Sequence, residues 1–308
     1  MKVFDLHCDT LYRAVDENKS IIENDFDISI LKGLKYEPWA QCFAIFIPDE
    51  YRGEDALTLF KKCKRRLDFE IDRNKDLICK CDSKDDIKKI VRDKRCNAIL
   101  TVEGGAVLAG KLSNLDYLKE CGVKMITLTW NGECEIGGGA KTSNLGITEF
   151  GTKVVRHMEE LSMIIDVSHA SDRLFYDVAN IVKRPIVASH SNSRSICSHK
   201  RNLTDEQFKF ISSNGGIVGL NFASDFLNDK TLASPYDIIK HADHFLSLGG
   251  ERSLCLGTDF DGADIPDDIL GIEWLKILYE LFLQHNYSQS LVDNIFFNNA
   301  YDFFCNFV

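Results

Sequence analysis

Three histidines and four carboxylates, far apart in the sequence, each follow closely on a short apolar run. They are His7 and Asp9 in DLHCDT, Glu103 in TVEGG, His169 in DVSHAS, His190 in ASHSNS, and Asp259 with Asp261 in LGTDFDG. Imidazole nitrogen and carboxylate oxygen are the ligands zinc accepts where thiolate is absent. Side chains two apart on an extended segment share a face, so His7 and Asp9 can reach one ion while Cys8 turns away. Glu103 precedes two glycines that leave room beside it, and a carboxylate can bridge two metals about 3.5–4 Å apart. His169 and His190 then complete the second ion. The chemistry of such a set is metal-assisted hydrolysis, in which paired ions bring the pKa of a shared water down towards ~7. No serine or cysteine stands in a nucleophile arrangement. Taken singly, each residue has a plainer reading: a capping aspartate beside a packing histidine, a loop charge, a helix start. Together they require seven polar side chains to fall at strand ends by accident.

Positioning such a set needs parallel strands ending on one rim. Short runs, most of them apolar on both faces, read as strands at Val3–Leu6, Gln41–Ile47, Ala98–Val102, Lys124–Leu128, Met163–Val167, Ile186–Ser189, Gly216–Asn221 and Ser253–Gly257. That pattern suits parallel strands covered on both sides. Helical spacing runs between them, over Glu54–Arg73, from a capping Asn114 to Glu120, and over Thr148–Leu161, Ser171–Val182, Thr204–Ser213 and Pro235–His244. Thr204 with Gln207 forms a capping box, and Pro235 opens its helix where a missing N–H does no harm. Eight strands alternating with helices predict an α/β fold, a TIM-type (β/α)₈ barrel, as one catalytic domain over residues 1–308 with no linker. A doubly wound sheet would want a glycine-rich phosphate turn after an early strand, which DLHCDT is not. In a barrel, chemistry gathers at the C-terminal strand ends, where the seven residues lie. His157, His199, His241, His244 and His285 fall on helices or loops and read as surface or supporting residues, His199 being the one nearest to an exception.

Bulk properties narrow the function classes. The chain has 308 residues and a net charge of −10, which disfavours nucleic acid and anionic membrane as partners. Eleven cysteines lack zinc-ribbon spacing, and the closest pair, Cys79 and Cys81, is too tight for CxxC. With no apolar signal segment and no run near the ~18 apolar residues of a membrane span, the expected location is the cytoplasm.

The motifs DLHCDT, TVEGG, DVSHAS, ASHSNSR followed by KRNLTDEQ, GGIVGLNF, HADHFLSLGG and LGTDFDG, in this order, resemble the membrane dipeptidase (renal dipeptidase, peptidase M19) family of the amidohydrolase superfamily over nearly the whole chain. The resemblance implies a barrel with two zinc ions per chain: His7 and Asp9 on one, Glu103 bridging together with a water or hydroxide, His169 and His190 on the other. It implies that Arg201 holds the substrate's C-terminal carboxylate and that Asp259 binds substrate and acts as acid/base beside the bridging water. The expected substrate is a small dipeptide, with a D-residue tolerated at the C-terminal side, and a homodimer is what the family suggests. One departure stands out. Where the animal enzymes read LTH, this chain reads LTWN, so Trp130 occupies a slot that touches the substrate near the developing oxyanion. Indole donates one hydrogen bond but carries no proton. Trp130 is therefore a weaker oxyanion donor or a wall that narrows the pocket, and the pocket's shape is set by loops Asp49–Glu54 and Gly132–Gly146.

Two other readings remain. One is a different amidohydrolase acting on a carboxylate-bearing amide or ester; the third run ends in Glu103 rather than a bridging lysine, and Arg201 suits a free carboxylate, both of which favour the dipeptidase. The other is a non-catalytic metal-binding homologue, whose mark would be a lost ligand or a lost Asp259; all are present.

Overall fold

A computed structural model describes residues 1–142, 145–229 and 232–307. Positions 143 and 144 of the loop 132–146 lie outside the described residues. Among the described residues nine parallel strands form the sheet: β1 (Val3–Cys8), β2 (Trp39–Phe46), β3 (Ile78–Lys80), β4 (Cys96–Glu103), β5 (Met125–Thr127), β6 (Ile164–Asp166), β7 (Val187–Ala188), β8 (Ile217–Leu220) and β9 (Leu254–Leu256). Eight of them close a ring. β2 pairs with β4, and β9 returns to β1 through Asp5 opposite Leu256. The ring is the (β/α)₈ barrel, and all eight expected runs supply its strands. β3 is additional: it pairs with the first half of β4, beneath the point where β5 takes over. Its three residues, Ile-Cys-Lys, carry too little apolar signal to be read from the sequence.

Two apolar clusters hold the barrel. Side chains on the outer strand faces pack against the surrounding helices, in a layer that includes Val3, Phe43, Leu100, Ile126, Ile165 and Leu256. The lumen is filled from every ring strand, by Leu6, Cys42, Ile99, Met125, Ile164, Val187, Ile217 and Cys255, and is closed by Phe297 and Phe304 of the C-terminal segment. Such filling makes the barrel a packed core rather than a pore. Asn299 pins that plug by donating to the Leu254 and Glu251 carbonyls at 2.8 and 3.0 Å.

Helix ends follow local chemistry. Thr204 and Gln207 make both bonds of the capping box before the helix Asp205–Ser213, and Pro235 opens the helix Pro235–Ser247. The Asn114 cap is corrected. Helix Ser113–Glu120 begins one residue earlier, and the Asn114 amide instead donates to the Leu108 carbonyl at 2.8 Å. A side-chain amide can satisfy a nearby carbonyl as readily as a helix start.

Of the two readings offered for His241, surface or supporting, the structure takes the second: it is completely buried. Its Nδ1 accepts from Ser193 N at 3.1 Å and its Nε2 donates to the Leu227 carbonyl at 2.9 Å, joining the segments that follow β7 and β8. Burial pushes its pKa down to about 4. A folded pKa below the unfolded value means that the neutral form stabilises the fold. That contribution is complete above about pH 6.5 and fades as the pH falls towards 4, at a total cost of roughly 3 kcal/mol. Urea unfolding at pH 7 and pH 4.5 should show a smaller loss of stability in His241→Gln than in the wild type; equal losses would rule this contribution out.

Candidate metal and catalytic site

The C-terminal strand ends bring six of the seven strand-end residues together, while the Asp261 carboxylate turns to the segment after β1 and accepts from Thr10 Oγ1, from Asp27 N at 2.8 Å and from Arg13 Nη1 at 3.2 Å. In β1 an extra residue stands between the pairings Asp5–Gln41 and Cys8–Phe43. Such a bulge re-aims side chains. Leu6 faces the lumen below, His7 joins the cluster at the mouth, and Cys8 packs outward, its thiol donating to the Cys42 carbonyl. Asp5 anchors the bulge by accepting from Thr258 N and Oγ1 and from Gln41 Nε2. His7 and Asp9 thus share a side as expected, but through a bulge rather than through simple alternation.

His7 Nε2 lies 3.2 Å from Asp9 Oδ2, 3.7 Å from Glu103 Oε2 and 3.8 Å from Asp259 Oδ1. Glu103 Oε1 lies 2.6 Å from His169 Nε2 and 3.4 Å from His190 Nε2. Glu103 therefore turns one oxygen to His7 and the other to the two remaining histidines. All six side chains are buried. The DFD turn winds left-handed at Asp259 (φ +62°) and again at Asp261 (φ +66°), and His169 has φ +66°. Non-glycine residues in that region cluster at functional sites. Glycine at 262 leaves room for the carboxylates, because a Cβ there would sit 2.0 Å from Asp9 Oδ2 and 2.8 Å from Asp259 Oδ1 and would displace them.

The neighbours fix the imidazole tautomers. Ser189 Oγ donates to Asp166 Oδ2 at 2.6 Å, so it accepts from His190 Nδ1 at 2.7 Å. Asn131 Oδ1 lies 2.9 Å from His169 Nδ1 and accepts from it. Both Nε2 atoms then present lone pairs, 2.9 Å apart and facing Glu103 Oε1. Asp9 Oδ1 is buried with no hydrogen-bond partner. Opposed lone pairs and an orphaned carboxylate oxygen fit a bound cation, and acceptors behind His169 (the Asn131 amide) and His190 (Ser189, itself held by Asp166) orient these imidazoles as the outer partners of metal ligands do. The groups His7–Glu103–His190 and His7–Asp9–Asp259 each converge closely enough to hold one ion.

The charges point the same way. Burial would lower the His7 pKa, but Asp9, Glu103 and Asp259 overcome it and hold it at about 10. Burial, then the charges of Arg201 and His7, push His169 well down; burial with the same two charges does so for His190. Burial and then Asp9 push Glu103 well up, against His7.

Arg201 is 5% exposed, with Nη2 donating to the His190 carbonyl at 3.4 Å and Nε without a partner. Phe226 lies under its guanidinium at 5.3 Å. A cavity of about 220 Å³ opens above the cluster, lined among others by Tyr12, Phe46, Trp130, Phe226, Asp259 and Ala263. The expectation that loops 49–54 and 132–146 shape this cavity is corrected in part. Trp130, Asn131 and Phe46 form the wall, and Asp49 stands behind it, accepting from Gly132 N at 2.8 Å.

Sequence reasoning missed Asn221, whose amide donates to Asp259 Oδ2 at 2.9 Å and to the His190 carbonyl at 3.3 Å. It follows β8 directly, so the rule that selected the other strand-end residues would also have found it. Asp166 and Ser189 carried no such signal, because their role is visible only across strands.

A family model of the membrane dipeptidases, peptidase family M19, matches residues 1–304. An uncharacterised Klebsiella pneumoniae protein from the region 5′ of pqqA is 32% identical over 71% of this chain and 85% of its own length. Mouse dipeptidase 3 is 26% identical over 84% of this chain, which spans 54% of that protein. A metallopeptidase from Rhodobacter sphaeroides, solved with a phosphinate mimic of the dipeptide L-Ala-D-Ala, shares the fold with a TM-score of 0.93 at 24% identity, covering 100% of this chain and 99% of that one. Dipeptidase AC, an M19 metallopeptidase, superposes with a TM-score of 0.92 at 25% identity over 99% and 98% of the two chains. Among the described residues no helix is long and apolar enough to cross a membrane. With the closed barrel, the buried carboxylate–imidazole cluster and a family match over almost its whole length, the chain belongs to the membrane dipeptidase family, peptidase family M19, a family of metal-dependent peptide-bond hydrolases.

Proposed function

We propose that the chain is a zinc dipeptidase that cleaves small dipeptides, L-Xaa-D-Xaa included. The observation that carries this reading is Arg201: a buried guanidinium beside the cluster, with an unpartnered Nε and, among the described residues, no carboxylate in an ion pair with it. Burial lowers its pKa to about 10, so it stays charged at neutral pH. A planar fork of that kind suits the terminal carboxylate of a short peptide.

His7 and Asp9 would hold one zinc, His169 and His190 the other, and Glu103 would bridge them. When bound, two zinc ions supply an acidified water and a polarised carbonyl. The remaining work belongs to the chain. Asp259 is held above the usual carboxylate range by burial and Asp9, against the pull of His7, and Asn221 fixes its Oδ2. It can take the proton of the attacking water and return it to the leaving amine. Trp130, 6.3 Å from His169 between ring centres, carries no transferable proton, so that transfer falls to Asp259. All eleven cysteines are free thiols, which fits a reducing compartment such as the cytoplasm.

The test is steady-state hydrolysis of L-Ala-L-Ala, L-Ala-D-Ala and the C-terminally amidated L-Ala-L-Ala, with the zinc-loaded wild type and Arg201→Met. A charge-assisted bond is worth about 1.5–3 kcal/mol, so Arg201→Met should lose about 10–100-fold in kcat/KM on the free dipeptides and little on the amide. Equal losses on amide and free acid would remove Arg201 from carboxylate recognition. No hydrolysis by the wild type would refute the dipeptidase reading.

A further inference from the structure

The ring order of the strands places two features on opposite sides of the barrel mouth. Phe46 ends β2, Tyr12 lies just after β1 and Trp130 just after β5. Phe46 packs edge-on against both, with ring centres 5.2 Å from Tyr12 and 4.9 Å from Trp130. All three keep part of their surface exposed and line the cavity above the cluster. Across the ring, after β7 and β8, stand Arg201 and Phe226. The buried carboxylates and imidazoles lie between.

We infer that Tyr12, Phe46 and Trp130 form the pocket for the side chain of the substrate's N-terminal residue, and that they select an apolar side chain there over glycine or lysine. The inference rests on the dipeptidase reading, which fixes the direction of the substrate. With the terminal carboxylate on Arg201 and the scissile bond over the cluster, an extended dipeptide spans about 7 Å. Its first residue then reaches the aromatic side of the mouth. Aromatic faces left partly exposed lose water when an aliphatic or aromatic group covers them. The carboxylates that line the same cavity, Asp9, Glu103, Asp259 and Asp261, belong to the cluster and the DFD turn and not to this three-ring wall, and the Lys141 ammonium sits 5.6 Å from the Trp130 ring, where it repels a second cation.

The experiment compares kcat/KM of the zinc-loaded protein on Gly-Ala, Ala-Ala, Leu-Ala, Phe-Ala and Lys-Ala, and on the reversed series Ala-Gly, Ala-Leu and Ala-Phe, with Phe46→Ala alongside. Leu-Ala and Phe-Ala should exceed Gly-Ala and Lys-Ala by ~10-fold or more, and Phe46→Ala should bring the Leu-Ala to Gly-Ala ratio towards one. A wild type that cleaves the series with no preference, or prefers glycine or lysine, overturns the inference and leaves the dipeptidase reading intact. A preference that follows the C-terminal side chain instead overturns the assigned direction and the inference with it. Because the wild-type series decides the matter alone, misfolding of Phe46→Ala would not shield the idea. If no Xaa-Ala is cleaved, the dipeptidase reading has failed, and this inference fails as its consequence.

Discussion

Asp259→Asn should lower kcat on L-Ala-D-Ala by ~10²–10⁴-fold, the range that a positioned acid/base contributes. The substitution keeps the shape of the side chain and leaves an oxygen for the Asn221 amide, now 2.9 Å from Asp259 Oδ2. It removes the negative charge and with it the ability to accept and return a proton. KM should change little, since Arg201 and the aromatic wall are untouched, and zinc content should stay that of the wild type. The informative comparison is kcat beside elemental analysis of the same preparation. A variant that retains its metal and its turnover would take the acid/base role away from Asp259. A variant that loses both would recast Asp259 as a ligand, a role the His7–Asp9–Asp259 grouping allows.

Glu103→Gln should have the second large effect, with opposite signs in the two states of the protein. Glu103 faces three histidines with its two oxygens, and a neutral amide cannot balance two cations there. Ligand binding at a thousandfold excess over Kd stabilises by roughly 4 kcal/mol, which for a domain of this size is a rise in Tm of about 6 °C. Zinc should produce a shift of that order in the wild type and almost none in Glu103→Gln, whose turnover should fall to background. Without metal the order reverses. Burial and Asp9 push the Glu103 carboxyl well up, so the metal-free wild type already carries a destabilised acid there, and the amide should melt at or above it. Thermal unfolding with and without zinc reads both signs, and an undiminished zinc shift in the variant would contradict the bridging role.

The barrel was legible because its strands are buried on both faces and read as unbroken apolar runs; all eight ring strands were found for that reason. β3 escaped because pairing with the lower half of β4, rather than its own composition, makes it a strand. The cluster at the mouth was legible from position, since residues ending strands of a parallel barrel share one rim. The details that make it a site were not. The β1 bulge that separates Leu6 from His7 depends on register against β2. The tautomers of His169 and His190 depend on Asn131 and on the Ser189–Asp166 pair, groups brought close only by closure of the ring. His241 could be read from the sequence as either a surface or a supporting residue, and only the packing of the segments after β7 and β8 reveals its two buried partners. Of the aromatic wall only Trp130 was legible; Tyr12 and Phe46 were not, because the three are separated by dozens of residues and meet only at the rim.

The central claim is a two-zinc site that hydrolyses dipeptides. It is tested most directly by titrating zinc into the chelator-stripped protein while following hydrolysis of L-Ala-D-Ala, with an N-acetylated dipeptide as control. Activity should rise from background, level off at two equivalents of zinc per chain, and be confined to the free dipeptide. Saturation at one equivalent, turnover that survives stripping, or cleavage of the N-acetylated control with the free dipeptide untouched would contradict it.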